Sequence, residues 1–257
     1  MSKSAVTEYY NDYWSERPGW TPHPSLTPLK RQLFTRLINE HTDVLDIGCG
    51  DGAHYGQALA SVARSYHGLD VSEVAVELAR QRGIQAQCHD LGNPLPFPGD
   101  AFDTVICLEV LEHLFNPAFA LGEMRRVLKH TGRIMLSVPN IVHISNRVRV
   151  MLGGFSPGGT PETSSRRPWA DPHIRFFTER TLRWFIEEQS LQLLSLHGEG
   201  FSLFSTFPVI SPLAARLVGW DRLERWSRSF EFMARVWPSL CAGHLIAIAA
   251  HRTAPAK

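Results

Sequence analysis

Along this chain of 257 residues, short apolar runs alternate with stretches whose apolar residues recur every three or four positions. In Leu26 to Asn39, the residues Leu29, Leu33, Phe34, Leu37 and Ile38 fall at helical spacing. "DVLDIG" then reads as a short buried strand, and Tyr55 to Ala63 as a helix beyond a glycine-rich loop. "SYHGLDV" predicts a second strand, and "SEVAVELARQRG" a helix with Ser72 as its N-cap and Gly83 as its stop. "IQAQCHD" and "FDTVICLEV" read as a third and a fourth strand, the fourth apolar enough to lie mid-sheet. "NPAFALGEMRRVLKH" predicts a helix with Pro117 in its first turn, and "GRIMLSVP" a fifth strand. Such alternation predicts an α/β doubly wound parallel sheet.

The pattern loosens after Asn140. Residues 141–172 include "GGFSPGGTPETSSRRPWADP", and a loop of that length is a functional lid or a disordered segment. A helix over Thr178 to Gln189 follows, with Leu182, Phe185 and Ile186 on one face. "LQLLSLHGEG" and "GHLIAIAAHR" read as two closing strands. Between them, 201–239 is apolar and helical in character, suited to core packing, a substrate cap, a homodimer surface or a peripheral membrane contact. At the other end, "YYNDYWSERPGWTPHP" within residues 1–25 reads as an irregular aromatic arm, either folded over a ligand or packed on the sheet edge.

Charge narrows the partners. With 26 basic and 25 acidic residues the formal charge is +1, so nothing global calls for nucleic acid. Cys49, Cys88, Cys107 and Cys241 are scattered without a CxxC pair, as expected of reduced thiols in a cytoplasmic protein. The twelve histidines show no HxxxH or HxH pairing, so no metal site is expected. The N-terminus lacks the apolar stretch of a signal peptide, and no run reaches the ~18–20 apolar residues of a spanning helix.

The loop "GCGDG" after the first strand carries the chemistry. A phosphate-binding P-loop is excluded, because no Gly-Lys-Ser/Thr follows. Gly48, Gly50 and Ala53 satisfy the dinucleotide pattern G-x-G-x-x-G/A, but Asp46 and Asp51 put carboxylates where a pyrophosphate would lie. Two unit charges ~5 Å apart repel by roughly 3 kcal/mol at an effective dielectric near 20. S-adenosylmethionine, a sulfonium and ammonium cation without phosphate, suits the acidic loop better. Asp70 ends the second strand, where it can accept hydrogen bonds from ribose hydroxyls of either cofactor. Asp90 ends the third, within reach of an adenine amino group. Local capping by Asp46 and simple turn roles for Asp70 and Asp90 stay open.

Together "VLDIGCGDG", "GLDVS", "CHDLGNPLPFPGDAFDTVICLEVLEHL" and "EMRRVLKHTGRIMLSVPN" resemble class I S-adenosylmethionine-dependent methyltransferases, over Asp43 to Asn140. "EVLEHL" resembles the subgroup of ubiquinone-biosynthesis O-methyltransferases and small-molecule or sugar methyltransferases. "VPNIVHISNRVRVMLGGF" and "DPHIRFFTERTLRWFIEEQSL" look like a bacterial branch associated with polysaccharide or lipid-linked glycan biosynthesis. The resemblance implies a Rossmann-like, mostly parallel sheet of seven strands with helices on both faces, the last strand antiparallel. It implies one methyltransferase domain over 1–257, with an arm at 1–25, a cofactor-binding core at 40–140, a substrate loop or lid at 141–175 and a helical insertion at 201–239. It places Asp46, Gly48 and Gly50 against the cofactor's methionine portion and Asp70 and Val71 at its ribose. Asp90 and Leu91 meet the adenine, and Leu108 and Glu109 line the pocket floor. The implied acceptor is a small molecule or a glycan or lipid-linked species, methylated at oxygen. A hydroxyl acceptor needs a base, for which His113, His143 and His173 are the candidates. Arg166, Arg167 and Arg175 are candidates to clamp an anionic group of the acceptor. An NAD-dependent oxidoreductase and a non-catalytic module that retains the fold are the competing readings.

Overall fold

A computed structural model describes residues 5–15, 27–154, 172–200 and 231–252. Within them seven strands form one sheet: β1 (Asp43–Ile47), β2 (Ser65–Asp70), β3 (Gln85–Cys88), β4 (Phe102–Leu108), β5 (Leu128–Pro139), β6 (Leu191–Glu199) and β7 (His244–His251). Their spatial order is β3-β2-β1-β4-β5-β7-β6. β1 pairs parallel with β2 and β4, whereas β7 runs antiparallel to β5 and β6. The order reverses between β1 and β4, and a crevice at such a switch point, beyond the strands' carboxyl ends, is where ligands bind in this architecture.

The β1 side chains explain why both faces are covered. Leu45 and Ile47 enter one buried cluster and Val44 the other, following the strand's two-residue period. The first cluster packs under α5 (Pro117–Val127) and α7 (Glu179–Glu188), through Leu121, Met124, Leu182 and Ile186. The second packs under α2 (Pro28–Leu37) and α4 (Glu73–Gln81), through Leu33, Phe34, Val76 and Ala79. Helix starts follow the sequence: Ser72 accepts from Ala75 N at the head of α4, and Asn116 from Phe119 N at the head of α5. Gly83 carries the positive φ that ends the α4 turn. Shorter helices complete the described chain: α3 (Gly56–Ala60), α6 (Ile144–Met151), α8 (Glu231–Val236) and α9 (Pro238–Cys241).

Two expectations change. The described part of the arm, α1 (Ala5–Ser15), is a helix, and its aromatic residues at positions 9, 10, 13 and 14 share a face with helical spacing. The stretch "LKH" belongs to β5 rather than to the preceding helix. Leu128 is fully buried and pairs with Phe102, while Lys129 Nζ reaches both Asp43 (3.0 Å) and Asp103 (2.8 Å). Those contacts hold the segment extended. Most of the expected lid and insertion, Arg166 and Arg167 included, lies outside the described residues.

Leu136 is fully buried at the centre of β5, so Leu136→Ala should destabilise the fold by about 2–5 kcal/mol in denaturant titrations. The Arg64 hydrogen bond, aided by Ser65 and Lys129 and opposed by burial, holds the Asp43 carboxyl well below the usual carboxylate range. A depressed carboxyl stabilises above its unfolded pKa, and that contribution fades as pH falls through the folded value. Asp43→Asn should therefore be less stable than the parent at neutral pH, with the deficit shrinking below about pH 4 in parallel melts.

Candidate active site

The bend after β1 is built from backbone that only glycine adopts easily. Gly48 and Gly50 have φ of 73° and 54°. A Cβ on Gly48 would lie 2.3 Å from Val110 Cγ2, and one on Gly50 would lie 2.8 Å from Trp14 Cζ2. Trp14, on α1, thus fills the space above the loop. Leu69 O accepts from Gly48 N (2.7 Å) and Cys49 N (3.0 Å), which anchors the bend to the end of β2. Asp70 completes the anchor: Oδ2 accepts from Gly50 N and Oδ1 from Ser72 N, both at 2.9 Å. Burial raises the Asp70 pKa against the pull of these amide bonds. The turn role and the placement beside the loop are therefore both realised. From α1, Asn11 Oδ1 accepts from Ser72 Oγ at 2.9 Å, so the arm roofs the crevice.

The loop's other carboxylates are not the bare anions that the sequence suggests. Asp51 forms an ion pair with Arg82 at 3.0 Å. Asp46 is fully buried and accepts hydrogen bonds from the Tyr66 and Tyr55 hydroxyls. Burial raises its pKa to about 7, in spite of both tyrosines. Asp46 thus sits beneath the loop, held by the two tyrosine hydroxyls. The electrostatic case against a pyrophosphate is correspondingly weaker than two free charges make it. Asp90 is exposed and closes a turn, with Oδ1 accepting from Gly92 N at 2.8 Å. Leu91 packs against the core, Leu108 is buried at the end of β4, and Val71 lies half-buried between Asp70 and the α4 cap.

Beyond β4 the chain gathers a cluster of polar side chains. Glu109 has a φ of 56°, in the left-handed region. Its carboxylate accepts from Ser137 Oγ and lies 3.5 Å from His244 Nε2, at the start of β7. Burial pushes the Glu109 pKa up, but His244, Lys30 and the Ser137 bond outweigh it, and the net shift is downward. Glu112, in the 3-10 turn Leu111–His113, is 1% exposed, and among the described residues no side-chain hydrogen bond reaches either carboxyl oxygen. Burial, reinforced by Glu109, raises its pKa to about 9, so it is neutral at pH 7. The rings of His113 and His173 lie 4.6 Å apart. Glu112 Oε1 is 3.9 Å from His113 Nε2 and 3.8 Å from His173 Nε2. His113 Nδ1 faces Pro172 O at 3.2 Å; a carbonyl only accepts, so Nδ1 carries the hydrogen and Nε2 the lone pair.

The structure brings His113 and His173 together, while His143 lies buried within electrostatic reach of His244. His143 is buried and caps α6, its Nδ1 accepting from Ser145 N at 3.2 Å, and burial lowers its pKa to about 4. Sequence reasoning missed Glu112, His244 and the tyrosine partners of Asp46. Glu112 stood inside "EVLEHL", three residues after Glu109, and that shared spacing was the available signal. The Glu112, His113 and His173 ligand atoms lie within 4.8 Å of one another, a grouping invisible to a search for closely spaced histidines.

Comparison with known proteins agrees with this architecture. Residues 45–136 match the family described as a methyltransferase domain. A probable S-adenosylmethionine-dependent methyltransferase of Mycobacterium tuberculosis is 39% identical over 118 residues, covering 44% of this chain and 42% of the relative, so the chain spans under half the length of that relative. The ubiquinone biosynthesis O-methyltransferase of Idiomarina loihiensis is 31% identical over 202 residues, covering 73% of this chain and 80% of its own. Among solved structures, the [4+2]-cyclase SpnF superposes with a TM-score of 0.61 at 20% identity, covering 99% of this chain and 98% of that one. The magnesium protoporphyrin IX methyltransferase of Synechocystis superposes at 0.57 with 17% identity, covering 98% and 100%. The structural likenesses establish the fold alone; the sequence relationships go further. The chain belongs to the class I S-adenosylmethionine-dependent methyltransferases.

Proposed function

We propose that this methyltransferase transfers its methyl group to the oxygen of a hydroxyl-bearing small molecule or glycan or lipid-linked acceptor, seated beside His113 and His173. The observation that carries the reading is the fixed tautomer of His113: the Pro172 carbonyl holds Nδ1–H and directs the Nε2 lone pair toward the Glu112 side of the cluster. The residues around the bend fit S-adenosylmethionine. The left-handed backbone at Gly48 and Gly50 shapes the bend, and the Asp70 oxygens keep lone pairs for ribose hydroxyls. Val71, Asp90 and Leu91 stand at the ends of β2 and β3, toward the adenine, and Leu108 and Glu109 form the floor toward the acceptor. Asp46 supports this set from below through its two tyrosines.

When bound, the cofactor supplies an electrophilic methyl group on a good leaving sulfur. The protein's task is then alignment and one proton transfer. In such a transfer the acceptor oxygen would bond the methyl carbon as the carbon–sulfur bond breaks, its electron pair going to sulfur. His113 Nε2 takes the hydroxyl proton, and a protonated Glu112 adds no negative charge beside the oxygen as its own negative charge develops. A second reading rests on the 4.8 Å grouping of Glu112, His113 and His173, which would suit one metal ion polarising the acceptor oxygen.

Calorimetry should detect S-adenosylhomocysteine binding, and Asp70→Ala should weaken it by about tenfold or more, a loss of roughly 1.4 kcal/mol. Unchanged affinity removes Asp70 from the site. With labelled cofactor and a panel of hydroxyl acceptors, His113→Ala should lower kcat by about 100-fold or more while cofactor affinity stays within about twofold. Turnover that needs added divalent cation would favour the metal reading over the base.

A further inference from the structure

Around this polar cluster, large apolar side chains face water. Phe115 is 85% exposed, Met151 85% and Leu152 81%, and Ile174 and Phe176 are also exposed. They lie on segments stitched together by main-chain bonds. Ile174 N donates to Glu112 O (2.9 Å), and Ile141 N to Phe177 O (3.1 Å). The Arg175 guanidinium donates to Phe115 O and lies 5.5 Å from the Phe115 ring. Segments 113–116, 141–154 and 172–178 carry Arg147, Arg149 and Arg175, and Glu112, Asp171 and Glu179 adjoin them in sequence. α6 joins both features: Arg147 and Arg149 lie along it, and Met151 and Leu152 project at its end.

From this we infer that the rim formed by Phe115, the end of α6 and the 174–176 strip docks on an anionic lipid surface. Exposed apolar tips beside three arginines match a headgroup layer in which the apolar groups enter the acyl boundary and the cations meet lipid phosphates. Among the described residues no helix is long and apolar enough to cross a membrane, so the contact is peripheral. Phe115 and Ile174 lie within two residues of His113 and His173, whose rings adjoin, so docking brings those histidines near the interface. There the protein takes an amphiphilic acceptor whose hydroxyl head reaches His113 while its apolar part stays in the lipid. That last step rests on the hydroxyl-acceptor reading above; surface docking itself does not.

Vesicle co-sedimentation separates the two. The full chain should pellet with phosphatidylcholine vesicles carrying about 30% phosphatidylglycerol, and much less with phosphatidylcholine alone or in ~0.5 M salt. The double variant Met151→Glu/Leu152→Glu should lose about tenfold in partitioning while retaining the parent's affinity for S-adenosylhomocysteine, which reports on its fold. Docking is overturned if the parent stays in the supernatant with anionic vesicles, or if the double variant pellets as well as the parent. It is equally overturned if light scattering shows a parent dimer that the variant abolishes, with no vesicle binding by either. Failure of methyl transfer with every hydroxyl acceptor would leave the vesicle result intact and count only against the reading of the cluster.

Discussion

One carboxylate organises the cofactor end of this fold. Asp70 terminates β2 and accepts from the amides of Gly50 and Ser72, so a single side chain joins the glycine bend to the head of α4. The β1–β2 register places Ile47 beside Leu69, which brings the Leu69 carbonyl under Gly48 and Cys49. A buried carboxyl is costly unless its oxygens are occupied, and here the loop's amides occupy them. The strand ladder, the left-handed glycines and the first turn of α4 are therefore consequences of one another. The roof added by α1 uses the same point, because Asn11 bonds the Ser72 hydroxyl beside Asp70.

Beyond β4 the arrangement follows a different logic, in which neighbouring ionisable groups are driven apart. Glu109 has His244, Lys30 and Ser137 around it and keeps its charge. Glu112, deeper and beside that charge, keeps its proton. Pairs of titratable groups pushed in opposite directions mark sites of proton chemistry. The two acids arise from one short turn, yet they present one negative and one neutral face to the cluster.

Most of the sheet was legible because burial on both faces writes continuous apolar runs, as in β1 and β4, and because caps such as Ser72 and Asn116 act locally. The seven strands and the antiparallel last one emerged as the resemblance implied. The helix of α1 was obscured by its aromatics and nearby prolines, since none of its residues is fully buried and its apolar face reads weakly. The start of β5 was misread because Leu128 and Lys129 owe their extended backbone to Phe102, Asp43 and Asp103, all distant in sequence. The site divided in the same way. Strand-end positions such as Asp70 and Glu109 could be read from their place after apolar runs. The state of a charge could not: Asp51 depends on Arg82, Asp46 on Tyr55 and Tyr66, and the meeting of His113 with His173 on the return of the chain after α6.

The backbone at Glu109 shows where the protein sets geometry above relaxation. A left-handed conformation costs an ordinary residue about 1–2 kcal/mol, which glycine would avoid. Glycine there would relieve the chain but delete the acid that balances His244 and reinforces the raised pKa of its neighbour Glu112. Position 109 is thus a point of trade-off, where selection for a sturdier fold and selection for a working site favour different residues. Variants chosen for thermal resistance alone would drift toward losing the acid, and turnover would decline as their melting temperature rose.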